Sequence, residues 1–253
     1  MNRGLIVFSA VGSVIVLFLV FPLVLLLFLS GGSLAEFIGD SEAINAVLLS
    51  FHSGVVASLI VVLFGTPLSY VLSRWRSRFV RVVQGLIEIP LALPHSVAGI
   101  MVLLAYNSRA PVGSVLSRFG LVVEDSYWGI VFVMVFVSAP IFVSSVKAGF
   151  DMVDVELENV ARTLGASLTQ VFLRVSLPLV YKHILAGFIL CLARAISEVG
   201  AVMVVAYYPK VAATLVIERF LGYGLGAALS LSGVLVIISL VIFAALRLIL
   251  AEE

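Results

Sequence analysis

The sequence predicts an all-α membrane protein: six transmembrane helices in one domain covering residues 1–253, with both termini on the cytoplasmic side. Three observations predict it. The chain is 62% hydrophobic and only 11% charged, whereas a soluble globular chain carries roughly 25% charged residues. Six stretches are apolar over the ~20 residues needed to cross a bilayer. Lysine and arginine are spread unevenly over the intervening loops, which is the bias that sets membrane orientation. The net charge of +1 offers no footprint for nucleic acid. Cys191, the single cysteine, lies in an apolar run and cannot form an internal disulfide.

The first span is Leu5–Leu29. Its apolar run of about 25 residues is too long for the 7–15-residue core of a secretory signal. Arg3 and the following "SGGS" therefore flank a span rather than mark a cleavage site. The remaining spans are Ala46–Leu72, Val82–Tyr106, Tyr127–Val146, Leu179–Tyr208 and Leu225–Leu250. With the N-terminus inside, the inner segments hold ten basic residues: Arg3, Arg74, Arg76, Arg78, Arg81, Lys147, Arg162, Arg174, Lys182 and Arg247. The outer segments hold four, Arg109, Arg118, Lys210 and Arg219, together with Glu36, Asp40, Glu42, Glu124, Asp125 and Glu218. No half of the chain visibly echoes the other, which argues against an inverted-repeat secondary transporter.

Between spans four and five lies a cytoplasmic loop, about 150–178, containing the run "ENVARTLGASLTQVFLRVSLPLV" (158–180). Val160, Ala161, Leu164, Leu168, Val171, Phe172 and Val175 recur at spacings of three and four, one stripe along a helix. Glu158, Arg162, Thr163, Gln170 and Arg174 form the other face, which is expected to meet water. Gly165 sits where a helix stop belongs. Ser167 with Gln170 reads as a capping box opening a second helix, and Pro178 fits the first turn of the next element. The segment is either a surface helix folded on its own membrane domain or a docking helix offered to a partner.

Polar residues inside the spans form the second candidate region, because ionisable groups there are costly and face a cavity or each other. Glu88 precedes Pro90 and Pro94 in span three, and each proline favours a kink. His95 follows directly. Arg194 and Glu198 are four apart in span five and can pair. Ser197, Gly200 and Ala201 are small enough for close helix approach. These residues serve either to brace helix packing or to line a path. The three histidines and Cys191 lack metal-ligand spacing, and no nucleophile–base arrangement stands out, so catalytic and metal sites are not expected. The sequence contains no G-x4-G-K-[ST] pattern, so nucleotide is not expected on this chain.

The loop resembles the E-A-A-x3-G-x9-I-x-L-P loop of inner-membrane subunits of binding-protein-dependent ABC importers. Gly165, Val175, Leu177 and Pro178 fall on its spacing. Asn159-Val160-Ala161 stands at the E-A-A position, with Glu158 one place early. "GTPLSYVLSR" (65–74), "IPLALPHSVAGI" (89–100), "VARTLGAS" (160–167), "SLPLV" (176–180) and "ARAISEVGAVMVVAYYP" (193–209) narrow the resemblance to permease subunits of molybdate and tungstate importers, closest to archaeal members. Sulfate permeases share much of this pattern.

The resemblance implies a type I ABC importer permease fold with a cytoplasmic coupling helix, in the cell membrane. It implies a second copy of the chain, two cytoplasmic ABC ATPase subunits that carry ATP and Mg, and an external oxyanion-binding protein. It assigns ATPase coupling to Glu158, Asn159, Val160, Ala161, Arg162, Gly165, Ala166, Leu177 and Pro178, with motion relayed through Pro178 into span five. It assigns the translocation path or gate to Glu88, Pro90, Pro94, His95, Ser197, Glu198 and Gly200. The alternatives are a sulfate permease, a gradient-driven transporter acting alone, and a structural subunit without flux. Molybdate and tungstate are tetrahedral dianions of nearly the same size, and the sequence does not choose between them.

Overall fold

In hydrocarbon every backbone N–H and C=O must be satisfied within the protein, which leaves helices or closed barrels. Among the described residues of this computed structural model, 3–32, 34–75 and 77–250, every regular element is helical. Ser33 and Arg76, both used in the sequence reading, lie outside the described residues. In chain order the elements are α1 (Arg3–Ser30), α2 (Leu34–Gly39), α3 (Ser41–Arg74), α4 (Arg78–Ala92), α5 (His95–Tyr106), α6 (Pro111–Arg118) and α7 (Tyr127–Met152). Then come α8 (Val155–Thr163), α9 (Leu168–Val171), a π-helical turn (Phe172–Ser176), α10 (Leu177–Leu179), α11 (Tyr181–Ile196), α12 (Gly200–Val205), α13 (Ala212–Tyr223) and α14 (Leu225–Leu250).

Among the described residues four helices, α1, α3, α7 and α14, are each long and apolar enough to cross a membrane, and the total is up to six if each of two bent pairs is one span. The pairs correspond to predicted spans three and five: span three differs from the expected kinked helix, and span five from the expected continuous span at 179–208. In span three the chain turns by 119° between α4 and α5. Pro90 sits inside α4 without ending it, whereas Leu93 closes α4 and Pro94 takes the N-cap position of α5. An N-cap proline gives up no helical hydrogen bond, so the break falls at the second proline and not the first. Span five begins with a 73° turn between the 168–179 run and α11. It then ends early: α11 stops at Ile196, Ser197 is its C-cap, and Gly200 and Ala201 belong to the separate short helix α12.

Lipid tails are as apolar as leucine, so packing and hydrogen bonds, not burial from water, hold these helices together. Helices α3, α7 and α11 form the centre. Ser69 of α3 donates to Val143 O of α7 as well as to its own Gly65 O, and Cys191 of α11 lies 3.2 Å from Ser138 Oγ of α7. Around them Ile130, Met134 and Val102 fill one half of the bundle, while Phe142, Phe150 and Tyr70 fill the other. Helices α1 and α14 lie at the periphery, and from Val11 onward α1 turns most of its apolar side chains outward.

Helix α3 has 34 residues, about 51 Å at 1.5 Å per residue, so it outruns a hydrocarbon core of about 30 Å. Its two ends are accordingly polar. At one, Asp40 caps the helix and Arg219 of α13 reaches Asp40 and Glu42. Lys210 joins Glu42 to Glu218 there, at 3.2 and 2.8 Å. At the other, Arg74 faces α8.

Candidate functional site

The segment from α8 to α10 folds as its local signals dictate. Asp154 caps α8, accepting from Glu156 N at 3.0 Å. Gly165 has φ +91°, a left-handed backbone open to glycine at no Cβ cost. It lets Gly165 N donate to Arg162 O and Ala166 N to Ala161 O, the two bonds of a Schellman stop. Ser167 and Gln170 form the expected reciprocal capping box of α9. Pro178 stands in the first turn of α10, where its missing N–H is harmless.

Tertiary contacts reverse one expectation. Glu158 does not meet water: it is 6% exposed and turned into the protein. Arg74 donates to its Oε1 through Nε at 2.9 Å and Nη2 at 2.7 Å. Ser176 Oγ donates to Oε1 at 2.7 Å, and Tyr70 Oη to Oε2 at 3.0 Å. Burial pushes the Glu158 carboxyl up, but the donors Arg74, Ser176 and Tyr70 outweigh it and hold the pKa below the ordinary value. Arg74 reaches further: its Nη1 donates to Phe150 O at 2.8 Å and to Ser73 Oγ at 2.9 Å. Ser73 in turn donates to Asp151 at 2.6 Å, and Lys147 closes on the other Asp151 oxygen at 2.7 Å. The rings of Tyr70, Phe150 and Phe172 pack around this knot.

With its glutamate inside, α8 shows apolar side chains outside. Leu157 is 50%, Val160 55% and Leu164 83% exposed. Leu168 continues this face, and Asn159 and Arg162 are exposed beside it. Ala161, Ala166 and Leu177 are half-buried, and Pro178 is exposed. The predicted apolar stripe is thus divided: Val171, Phe172 and Val175 pack inward to varying degrees, while Val160, Leu164 and Leu168 do not. A cavity of about 400 Å³ opens beside α8, lined by Arg74, Trp75, Asn159, Arg162 and Leu168 among others.

The second set of predicted residues gathers at the two helix breaks. Glu198 is fully buried, and Arg194 Nη2 lies 2.8 Å from its Oε2, so the predicted pair forms although Glu198 stands beyond the end of α11. His95 Nδ1 lies 3.0 Å from Glu198 Oε1, a link the sequence reading did not make. Glu198 Oε1 also accepts from Ala201 N at 2.9 Å at the start of α12. Gly200 is needed for this approach, because a Cβ there would sit 2.8 Å from His95 Cβ. The cluster therefore bolts the start of α5 to the α11–α12 junction. It leaves the His95 side chain 54% exposed.

Glu88 stands apart from that cluster, bonded to Gln84 at 3.0 Å and Ser144 at 3.3 Å. Ser197 is exposed and bonds only its own helix, at Arg194 O. Both Arg194 and Ser197 line a cavity of about 580 Å³ between α11, α13 and α14, whose other walls are mostly apolar.

Arg74, Tyr70, Ser73 and Ser176 were missed as functional candidates. No local spacing links Glu158 to a residue 84 positions earlier. The available signal was that Tyr70, Ser73 and Arg74 all end the quoted run 65–74, the polar tip of a span, and that Ser176 opens 176–180.

Comparison with known proteins identifies the family and the fold. Residues 65–251 match the family described as "Binding-protein-dependent transport system inner membrane component". The chain is 42% identical over 243 residues to the molybdate/tungstate transport system permease protein WtpB of Pyrococcus abyssi, covering 95% of this chain and 93% of that one. It is 41% identical over 234 residues to the protein of the same name from Methanocaldococcus jannaschii, covering 92% of each. Among solved structures it matches a chain of a bacterial ABC transporter involved in import of the acidic polysaccharide alginate, with a TM-score of 0.69 and 17% identity, over 97% of this chain and 94% of that one.

Proposed function

We propose, from the premise that this chain belongs to the binding-protein-dependent transport system inner membrane components, that it is the permease subunit of an ATP-driven importer of molybdate or tungstate. It forms the translocation pathway as a homodimer. A separate ATPase, which carries ATP and Mg, docks on the cytoplasmic loop around 158–178, and an external protein delivers the oxyanion. The inner end of the bundle is then the α8 end, and the outer end carries the Asp40, Glu42, Lys210 and Arg219 network.

One observation carries the docking surface: α8 buries its glutamate and exposes Leu157, Val160 and Leu164. A helix at a polar end of a membrane protein gains nothing from presenting leucine to water. It gains from laying that face in a groove on a partner. The Schellman stop at Gly165 and the capping box at Ser167 make the surface rigid before the partner arrives, which reduces the ordering cost of docking. The substrate class is supported by the relatives that share 41–42% of their residues over nearly the whole chain.

The broken spans support the assignment of the pathway residues. Irregular backbone at membrane depth is tolerated where it is buried in protein or lines water. The α4–α5 break brings Pro94 and the half-exposed His95 to the surface beside Glu198 and Gly200. Glu198 is neutralised by Arg194, so a buried carboxylate near the path does not repel a dianion. Glu88 and Pro90 on α4 lead up to this point, and Ser197 lies beyond it.

The test is a mild-detergent pull-down from native membranes with co-purifying proteins identified by mass, beside a Gly165→Asp variant. Recovery of a P-loop ATPase with the wild type and its reduction in the variant is the expected result. Recovery of the chain alone, with gradient-driven flux in liposomes that contain nothing else, would assign a secondary transporter. Uptake competition among tungstate, molybdate and sulfate decides the substrate, and preference for sulfate overturns the assignment within the class.

A further inference from the structure

Three routes connect α8 to the membrane helices, and they differ in stiffness. The covalent route runs through α9, the π-helical turn at 172–176 and α10, and reaches α11 only after the 73° turn at Val180. A π turn is a local irregularity that often marks functional segments, and two breaks in series make a compliant link. The route back along the chain runs through Val153 and Asp154, the short connection to α7. The third is through space. Glu158 of α8 is clamped by Arg74 and Tyr70 of α3, and Arg74 is in turn bonded to Phe150 O and, through Ser73, to Asp151 of α7. Ser176, placed by the π turn, donates to the same carboxylate oxygen.

We infer that Glu158 is a positioning residue and not a contact with the ATPase: with Arg74 it forms an internal strut that makes α8 move as one body with the ends of α3 and α7. This rests on the permease reading above and revises its mechanical part. The push of the partner on the exposed leucines of α8 enters the membrane through α3 and α7, and the Pro178 connection to α11 follows. The chemistry suits the role. A charged pair with four donor contacts on one buried carboxylate is short, directional and costly to pull apart. A neutral replacement keeps shape but loses that resistance. Coupling between distant sites needs a rigid unit that both can bias, and the strut makes α8 and the ends of α3 and α7 such a unit.

The experiment uses the full complex of permease, ATPase and binding protein in proteoliposomes, with tungstate as the transported probe. The variants are Glu158→Gln and the neutral pair Arg74→Gln with Glu158→Gln, which leaves no uncompensated buried charge. The expected result is that both variants still recover the ATPase subunit and that tungstate moved per ATP hydrolysed falls about tenfold, in the usual range of coupling between sites. Amide exchange over residues 155–171 reports whether α8 is still folded. A neutral pair that keeps the wild-type ratio overturns the strut. Loss of ATPase recovery in Glu158→Gln with α8 still protected also overturns it, since Glu158 is then a direct contact. Loss of both recovery and protection overturns it too, because the carboxylate is then needed to fold the loop rather than to transmit force. Failure of the wild type to recover an ATPase is separately visible, and removes the permease reading together with the strut.

Discussion

Glu158 and Glu198 are the two buried carboxylates of the described residues, and each is matched to an arginine. Stranding one partner of such a pair is far worse than removing both, because the remaining charge is left without water. Arg194→Ala should therefore lower the melting temperature in detergent by an amount equivalent to about 3–5 kcal/mol. Arg194→Gln combined with Glu198→Gln should recover most of that loss. Glu158 adds a pH dependence of definite sign. Its folded pKa lies below the ordinary carboxylate value, so its contribution to holding α8 is fully present above that value and is lost as pH falls through the folded pKa. Thermal stability in detergent measured down an acid series should decline in the wild type as the tie between α8 and α3 is lost, and Glu158→Gln should remove this component of the decline.

At the scale of an element, α8 and α9 are short helices that depend on their ends. A nine-residue helix is marginal on propensity alone, so the stop and the cap carry a large share of its order. Gly165 meets nothing where a Cβ would stand, and a substitution there costs backbone strain without a clash. Gly165→Ala should cost about 1–2 kcal/mol of local stability, and Ser167→Ala about 1 kcal/mol from the lost cap. Both are read as faster amide exchange confined to residues 155–171, with the melting of the membrane helices unchanged. The broken spans follow a different rule. Beyond the turn between α4 and α5, helix α5 packs its backbone closely on α12, where a Cβ on Gly99 would lie 2.7 Å from Ala201 O. The N-cap proline sets where the chain breaks between α4 and α5, and the close packing holds the start of α5 in place.

For the whole molecule, the two ends of the bundle carry different chemistry, and their assignment to the two sides of the membrane is measurable. With Cys191 buried, single cysteines placed at Leu164 and at Tyr208 report the two ends. A membrane-impermeant thiol reagent added outside right-side-out vesicles should label the Tyr208→Cys variant alone. Inverted vesicles should label Leu164→Cys alone. The opposite pattern would reverse the orientation that the basic residues predict.

The sequence by itself determined that the chain is a helical membrane protein, where its apolar stretches lie, where the amphipathic loop lies and how that loop starts and stops. These are short-range matters: apolar length, φ > 0 at a glycine, a hydroxyl three residues before a glutamine. It also named Arg194 and Glu198 as partners, because four residues bring two side chains together. Only the tertiary structure decided which face of α8 points outward, that Pro94 and not Pro90 breaks span three, that span five ends at Ile196, and that His95 meets Glu198. The amphipathic pattern of α8 misplaced Glu158 for a physical reason, while Arg162 and Thr163 of the same polar face are exposed as expected. Periodicity identifies a face, but the partner of that face is set by what lies opposite it in space. Here an arginine 84 residues away offered the glutamate a better environment than water, and the leucines of α8 were left exposed.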